Sequence, residues 1–204
     1  MHDNSQLIFQ KHATSYFRPG MRVLEIGPCS IPTIYQRLIN IPSVEWETID
    51  IQRDYHNLPS LSDLTYVANS DYDFPVASNT FDIVLSGQVI EHVRIIWKWM
   101  RELARVCKPG GVVITIGPVN YEYHPMPFDC WRIHPEGMRA LYEDSGLITE
   151  VAVSESLDPG NPGKQKWFYA KWTLRALLGR SIPRPPVHFK LNALVDTIAV
   201  ARKP

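Results

Sequence analysis

The chain has 204 residues, of which 45% are hydrophobic and 21% charged, as expected for one globular domain with one substantial core. Its 21 basic and 21 acidic residues balance to a formal net charge of +0, which excludes a global electrostatic field that recruits nucleic acid or an anionic membrane. Three widely spaced cysteines, Cys29, Cys107 and Cys130, argue against a disulfide framework and a paired-cysteine zinc site.

Apolar periodicity predicts strands that alternate with helices along the chain. The predicted strands are 22–26, 44–51, 64–68, 81–86, 112–116, 147–154 and 193–201. The predicted helices are 5–17, 34–39, 89–106 and 135–145. The motif Cys107-Lys108-Pro109-Gly110-Gly111 is predicted to end the third helix and turn the chain into the next strand. This alternation predicts an α/β fold with a largely parallel sheet.

Residues 1–204 are expected to form a single domain with two long irregular segments rich in proline. The first is a loop near 117–137, and the second is an insertion near 159–190.

Polar residues follow several predicted strands at the sheet edge where open parallel sheets bind ligands. They are 25–30, Asp50, 69–71 and 86–88. Gly27 allows close backbone approach, and Asp50, 25 positions after Glu25, is suited to accept hydrogen bonds from ribose hydroxyls. Two of these residues also have an ordinary structural explanation. Asp50 suits a solvated strand end, and Asp71 suits a turn.

Five stretches occur together and in order: VLEIGPCSIP, ETIDIQ, DFPVASNTFDIVLSGQVIEHV, LARVCKPGGVVITI and RIHPEGMRALYEDSGL. They cover most of residues 20–150 and resemble the class I S-adenosylmethionine-dependent methyltransferases, particularly those that act on small molecules. The resemblance implies a Rossmann-like three-layer sandwich whose seven-stranded sheet is mostly parallel, with an antiparallel C-terminal strand. It also implies S-adenosyl-L-methionine as the cofactor.

The resemblance assigns cofactor contacts to eleven residues. They are Glu25, Gly27, Pro28 and Cys29 near the methionine part, Asp50 at the ribose, Ile51 at the adenine ring, Ser70 and Asp71 at the adenine amino group, and Ser86, Gly87 and Gln88 at the sulfonium end. The aspartate usual at the amino group aligns with either Ser70 or Asp71, and both alternatives stay open.

Two residues of the first loop depart from the family pattern, since Cys29 and Ile31 stand where glycine is common. A dinucleotide-binding loop needs glycines to admit a pyrophosphate, whereas S-adenosylmethionine carries no phosphate. Cys29 and Ile31 therefore argue more strongly against a nicotinamide-dependent oxidoreductase than against a methyltransferase. Cys29 is either a buried small hydrophobe or a thiol that faces the cofactor.

The loop 117–137 is the predicted acceptor side. Its candidate substrate contacts are Tyr121, Tyr123, Asp129, Trp131 and Arg132, and the candidate bases are His124, His134 and His92. Six of these candidates also have a structural alternative: Asp129 and Arg132 pair with each other, Trp131 closes the core, His134 caps a helix, His124 is an exposed loop residue, and His92 is a structural or cofactor-loop residue.

The pattern Tyr-x-Tyr-His-Pro-x-Pro-x-Asp-x-Trp-Arg resembles a methyltransferase subgroup associated with glycan or secondary-metabolite pathways. It predicts methylation of a hydroxyl on a small-molecule or glycan-type acceptor. N-methylation of a small molecule and a non-catalytic cofactor-binding protein are the alternatives. No metal site is predicted, because no compact carboxylate cluster or paired-histidine motif occurs.

The segment 164–186 mixes basic residues with tryptophan and other apolar residues. We interpret this segment as one that docks on the sheet, forms a lid over the acceptor, or makes a homodimer contact through 164–180. A membrane-surface helix or a nucleic-acid-binding segment is less favoured. No signal peptide or apolar stretch of about 18 residues occurs, so we expect a cytoplasmic protein without stable membrane insertion.

Overall fold

The computed structural model describes residues 3–51, 60–125, 127–158 and 194–204. The strands are β1 (Arg22–Ile26), β2 (Glu45–Ile51), β3 (Tyr66–Ala68), β4 (Phe81–Gly87), β5 (Cys107–Pro118), β6 (Ile148–Glu155) and β7 (Asp196–Arg202). The helices are α1 (Asp3–His12), α2 (Ile34–Ile39), α3 (Ile96–Val106) and α4 (Pro135–Asp144). Short 3₁₀ turns lie at Thr14–Tyr16, Leu61–Asp63 and Ile90–His92.

The strands form one seven-stranded sheet in the order β3-β2-β1-β4-β5-β7-β6. Pairing is parallel from β3 through β5, whereas β7 runs antiparallel to both β5 and β6. The predicted fold, an α/β sandwich with a mostly parallel seven-stranded sheet and an antiparallel C-terminal strand, is confirmed. The parallel strands consequently present their carboxyl ends at one edge of the sheet.

Two apolar clusters pack the helices against the sheet, one for α1 and α2 and the other for α3 and α4, and so give the sandwich its three layers. Phe9 of α1 and Tyr35 of α2 belong to one cluster, and Trp99 of α3 and Tyr142 of α4 belong to the other. Successive residues of the central strands alternate between the clusters, as the twofold period of a strand requires. The sheet is therefore covered on both faces, which explains why its strands are almost continuously apolar.

The predicted helix 89–106 is wrong in its first part. Residues 90–92 form a 3₁₀ turn, the backbone is extended at Val93, and α3 begins only at Ile96. The Val93 carbonyl accepts a hydrogen bond from Trp131 Nε1 at 2.8 Å, and the Ile95 amide donates to the Tyr72 hydroxyl at 3.2 Å. These distant partners take up backbone groups next to the break, and periodicity within the segment does not reveal them.

Two further predicted boundaries also differ. The motif 107–111 does not turn the chain between elements, because β5 already begins at Cys107, which pairs with Phe81 before a register shift. The first helix ends at His12, and a 3₁₀ turn follows where the prediction extended the helix to residue 17.

The predicted insertion near 159–190 lies almost wholly outside the described residues, as does the whole 164–180 segment predicted as a homodimer contact. None of the helices in the described part of the chain has the length and apolar character needed to cross a bilayer.

Candidate functional site

The carboxyl ends of three neighbouring strands place Gly27, Asp50 and Gly87 side by side. Ile26 of β1 pairs with Ile49 of β2 and with Ser86 of β4. Gly27, Asp50 and Gly87 are the residues that directly follow these three. The Gly27 amide donates a hydrogen bond to the Ile49 carbonyl at 2.9 Å, which continues the pairing past the end of β1. Predicted methionine, ribose and sulfonium contacts thus meet at one edge, although they lie far apart in sequence.

Gly27 occupies a position that only glycine fits without strain. Its φ is +64°, in the left-handed region, and an added Cβ lies 2.6 Å from Val89 Cγ2. Val89 immediately precedes the 3₁₀ turn, so the close contact brings this turn over the end of β1. Ile90 makes an equally close approach to Gly117 of β5, where an added Cβ lies 2.7 Å from Ile90 Cγ2.

Glu25 anchors the loop between β1 and α2 through hydrogen bonds of its side chain. Its side chain is buried and accepts hydrogen bonds from Thr33 Oγ1 and, at 2.9 Å, from Trp46 Nε1. Thr33 also caps α2, so one carboxyl connects β1, β2 and the start of α2. Burial raises the pKa of Glu25 to about 7, against the opposing effect of the two hydrogen bonds.

The raised pKa of Glu25 predicts a pH-dependent difference in stability between the wild type and Glu25→Gln. The unfolded carboxyl ionises near pH 4.5, whereas the folded one keeps its proton until about pH 7. The free energy of unfolding of the wild type, relative to that of Glu25→Gln, should therefore fall between these pH values and level off above them. Urea titrations of both proteins across this range measure the difference, and a constant difference contradicts the assignment.

Pro28 and Cys29 follow Gly27 in the same loop. Pro28 is buried, whereas Cys29 is intermediate in exposure. The interpretation of Cys29 as a buried small hydrophobe is therefore wrong, and its predicted contact with a cofactor stays a prediction.

Asp50 and Ile51 end β2, and both are partly buried. Asp50 Oδ1 accepts a hydrogen bond from the Ile51 amide at 2.7 Å, which orients the carboxylate at the strand end. Ser70 and Asp71 lie in a turn after β3, where Ser70 Oγ accepts from the Tyr72 amide at 3.1 Å. Asp50 and Ile51 thus lie at the end of β2, and Ser70 and Asp71 lie just after the adjacent β3, as the predicted ribose and adenine contacts require.

Of the predicted sulfonium-side residues, Ser86 and Gly87 end β4, and Gln88, which follows them, is hydrogen-bonded to the buried Asp196, a residue that the sequence did not single out. Gln88 Nε2 donates to Asp196 Oδ1 at 3.0 Å, and Asn4 Nδ2 donates to Asp196 Oδ2 at 2.6 Å. Ser86 Oγ is buried and has no hydrogen-bond partner among the described residues. The prediction treated Asp196 only as part of a strand and did not consider Asn4, because no local signal connects residues 192 positions apart.

Asp129 and Arg132 form an ion pair inside the loop 117–137, as one interpretation predicted. Arg132 donates to both carboxylate oxygens at 2.5 and 2.7 Å and also to the carbonyls of Tyr121 and Glu122. The Asp129 side chain is 1% exposed, and its hydrogen bond with Arg132 lowers the pKa of the carboxyl to about 2. The pair fixes the loop, and Asp129 Oδ2 also accepts from the His124 amide at 2.8 Å.

The aromatic candidates of this loop differ in exposure. Trp131 packs against the core, as its structural alternative predicted, and makes an edge contact with Trp97. Tyr123 is 76% exposed, and the Tyr121 ring meets the His124 ring edge-on with centroids 4.8 Å apart.

Two of the three candidate bases come together. The rings of His92 and His124 meet edge-on with centroids 5.0 Å apart, and His92 Nε2 lies 3.8 Å from Glu91 Oε1. Glu91 is 1% exposed, and burial raises the pKa of its carboxyl to about 8. His134 instead lines a groove with Trp97 and Trp131, at the N-cap of α4, where its side chain makes no capping hydrogen bond.

Comparison with known proteins shows which proteins this chain resembles. Residues 43–115 match the family model described as a methyltransferase domain, a stretch that runs from β2 through most of β5. An uncharacterized methyltransferase of Mycobacteroides abscessus is 44% identical over 50 residues, which are 24% of this chain and 19% of that relative. The resemblance to the methyltransferases is confirmed. The match spans less than a fifth of the relative's length.

Solved methyltransferase structures share the fold over nearly the whole chain. A chain of the Haloferax volcanii complex between the Trm112 methyltransferase activator and a methyltransferase is 18% identical, with a TM-score of 0.65 over 98% of this chain and 92% of that one. An S-adenosylmethionine-dependent methyltransferase from Archaeoglobus fulgidus is 15% identical, with a TM-score of 0.61 over 98% and 94%. The match to the methyltransferase domain supports the predicted enzyme class, and the solved structures show that the fold is shared.

Proposed function

We propose that this chain is an S-adenosyl-L-methionine-dependent methyltransferase that transfers a methyl group to a hydroxyl oxygen of a small-molecule or sugar-containing acceptor. The observation that carries the proposal is the alignment of Gly27, Asp50 and Gly87 at the carboxyl edge of a methyltransferase-type sheet. The family match over 43–115 supports the reaction class, and the proposal adds a biosynthetic role in the cytoplasm.

The residues at this edge fit the chemistry of the cofactor. A carboxylate that ends β2 suits the two ribose hydroxyls, and the apolar Ile51 beside Asp50 suits the adenine ring. Gly27 keeps the loop backbone open to close approach, and the orphaned buried hydroxyl of Ser86 offers a further polar contact near the sulfonium position. No phosphate has to be bound, so the bulkier Cys29 and Ile31 are compatible with the site.

When bound, the cofactor supplies an activated methyl group on a sulfonium, so the protein mainly provides proximity and orientation. In the proposal, Gln88, held by Asp196, borders the transferred methyl. The loop stiffened by Asp129 and Arg132 presents Tyr121 and Tyr123 to the acceptor. The roles of His92, His124 and His134 in removing a proton stay predictions.

Calorimetric titration of the full chain with S-adenosylmethionine, S-adenosylhomocysteine and NAD tests the proposal. We expect saturable binding of the first two ligands and none of the third. Failure of both sulfur ligands to bind to a folded sample overturns the proposal, and preferential binding of NAD favours the oxidoreductase alternative. Product analysis with hydroxyl and amine acceptors then distinguishes O-methylation from N-methylation.

A further inference from the structure

Three potential metal ligands converge above the sheet edge, next to the predicted sulfonium position. One ligand atom from each of Glu91, His92 and His124 lies within 4.8 Å of the other two. Glu91 and His92 belong to the 3₁₀ turn after β4, whereas His124 comes from the acceptor loop. This turn packs over the ends of β1 and β5 through Val89 and Ile90.

The burial of Glu91 is a second observation that points to a ligand at this cluster. Its side chain is 1% exposed, and Oε2 has no hydrogen-bond partner among the described residues. A buried carboxyl oxygen without a partner is energetically costly, and metal coordination is one of the few arrangements that offset the cost. The unpartnered oxygen therefore supports a ligand at this cluster independently of the convergence of the three side chains.

Both histidines are held as metal-binding imidazoles usually are. His92 Nδ1 lies 2.6 Å from the Phe128 carbonyl oxygen, and His124 Nδ1 lies 2.7 Å from the Glu122 carbonyl oxygen. A ring that donates its Nδ1 proton to a carbonyl keeps the lone pair on Nε2, which is the nitrogen that can coordinate a metal in this tautomer. The backbone thus selects the same tautomer in both rings.

We propose that Glu91, His92 and His124 form a binding site for a divalent transition-metal ion, with Zn²⁺ as the ion that best suits two imidazoles and one carboxylate. Zinc sites with two histidines, one carboxylate and an open fourth position are common in enzymes. Ligand atoms lie about 2.0–2.2 Å from zinc, so the ion draws the three side chains closer together and joins the acceptor loop to the 3₁₀ turn.

With three protein ligands, a bound ion would keep one coordination position open, and in this proposal an oxygen of the acceptor would occupy it. This role rests on the proposed function, whereas metal binding itself does not. It also assigns His92 and His124 as ligands in place of bases, since a coordinated imidazole nitrogen cannot also accept a proton. The expectation of no metal site came from sequence spacing, which separates the Glu91-His92 pair from His124 by a whole strand and helix.

Isothermal titration of the chelator-treated full chain with Zn²⁺, in the absence of any cofactor, tests the site. We expect one tight equivalent in the wild type and an affinity lower by about 100-fold in Glu91→Gln and His124→Ala. Two matched controls, His134→Ala and Cys130→Ser, are expected to bind zinc as the wild type does. Cobalt substitution adds a ligand-field absorption band that the two ligand variants should lose.

The inference is overturned if the wild type binds no zinc or if Glu91→Gln and His124→Ala both keep the wild-type affinity. It is also overturned if Cys130→Ser loses binding to the same extent, because the thiol is then the ligand. Glu91→Gln keeps the side-chain volume, and circular dichroism verifies that each variant is folded. A parallel titration with S-adenosylhomocysteine tests the proposed function separately, so either idea can fail alone.

Discussion

Asp50→Ala is expected to weaken the binding of S-adenosylhomocysteine by about 1–3 kcal/mol, or roughly 5- to 150-fold, because the ribose loses its carboxylate acceptor. The partly buried Asp50 carboxylate is oriented at the end of β2 by the Ile51 amide. Calorimetric titration of the wild type and the variant measures the loss.

Two further variants separate ribose recognition from a general effect of charge or folding. Asp50→Asn keeps one oxygen acceptor and is expected to give an intermediate loss. Asp73→Ala removes an exposed carboxylate after the neighbouring strand and is expected to bind like the wild type. An unchanged affinity in Asp50→Ala refutes the ribose assignment.

Gly27→Ala is expected to lower the free energy of unfolding by about 2–5 kcal/mol. A left-handed backbone costs a non-glycine residue about 1–2 kcal/mol, and the contact of 2.6 Å with Val89 Cγ2 adds an overpacking cost of about 1–3 kcal/mol. Urea unfolding followed by circular dichroism measures the difference from the wild type.

Gly110→Ala is the matched control, because Gly110 has φ +78° but an added Cβ there meets nothing within 4 Å. Its loss in free energy of unfolding should reflect the left-handed backbone alone, without an overpacking cost. The double variant Gly27→Ala with Val89→Ala should show a smaller loss than additivity of the two single variants predicts, because Val89→Ala removes the clashing methyl groups. If Gly27→Ala lowers the free energy of unfolding by no more than Gly110→Ala does, the 3₁₀ turn does not pack closely over the end of β1.

The fold was largely predictable because its signals are local. Apolar strands such as 81–86 are buried on both faces of the sheet, and their alternation with helical patterns indicates parallel pairing. The residues at the strand ends follow from the same pattern, since parallel strands bring their carboxyl ends to one edge. Gly27, Asp50 and Gly87 could therefore be selected from the sequence alone.

The acceptor side was less predictable because it depends on contacts between distant segments. The break before α3 follows from hydrogen bonds that involve Trp131 and Tyr72, and Gln88 is held by Asp196 from the last strand. The convergence of His124 on Glu91 and His92 depends on the path of an irregular loop, for which periodicity has no signal. The same limit explains why His134 was grouped with the other histidines, although it lies on a different surface.

The most direct test of the cofactor site is a crystal structure of the full chain with S-adenosylhomocysteine. We predict the ribose hydroxyls within hydrogen-bond distance of the Asp50 carboxylate, the adenine ring against Ile51, and the methionine part along the loop that begins at Gly27. The sulfur is expected beside Gly87 and Gln88, on the side of the 3₁₀ turn. A ligand bound away from this edge, with Asp50 not contacting the ribose, contradicts the account.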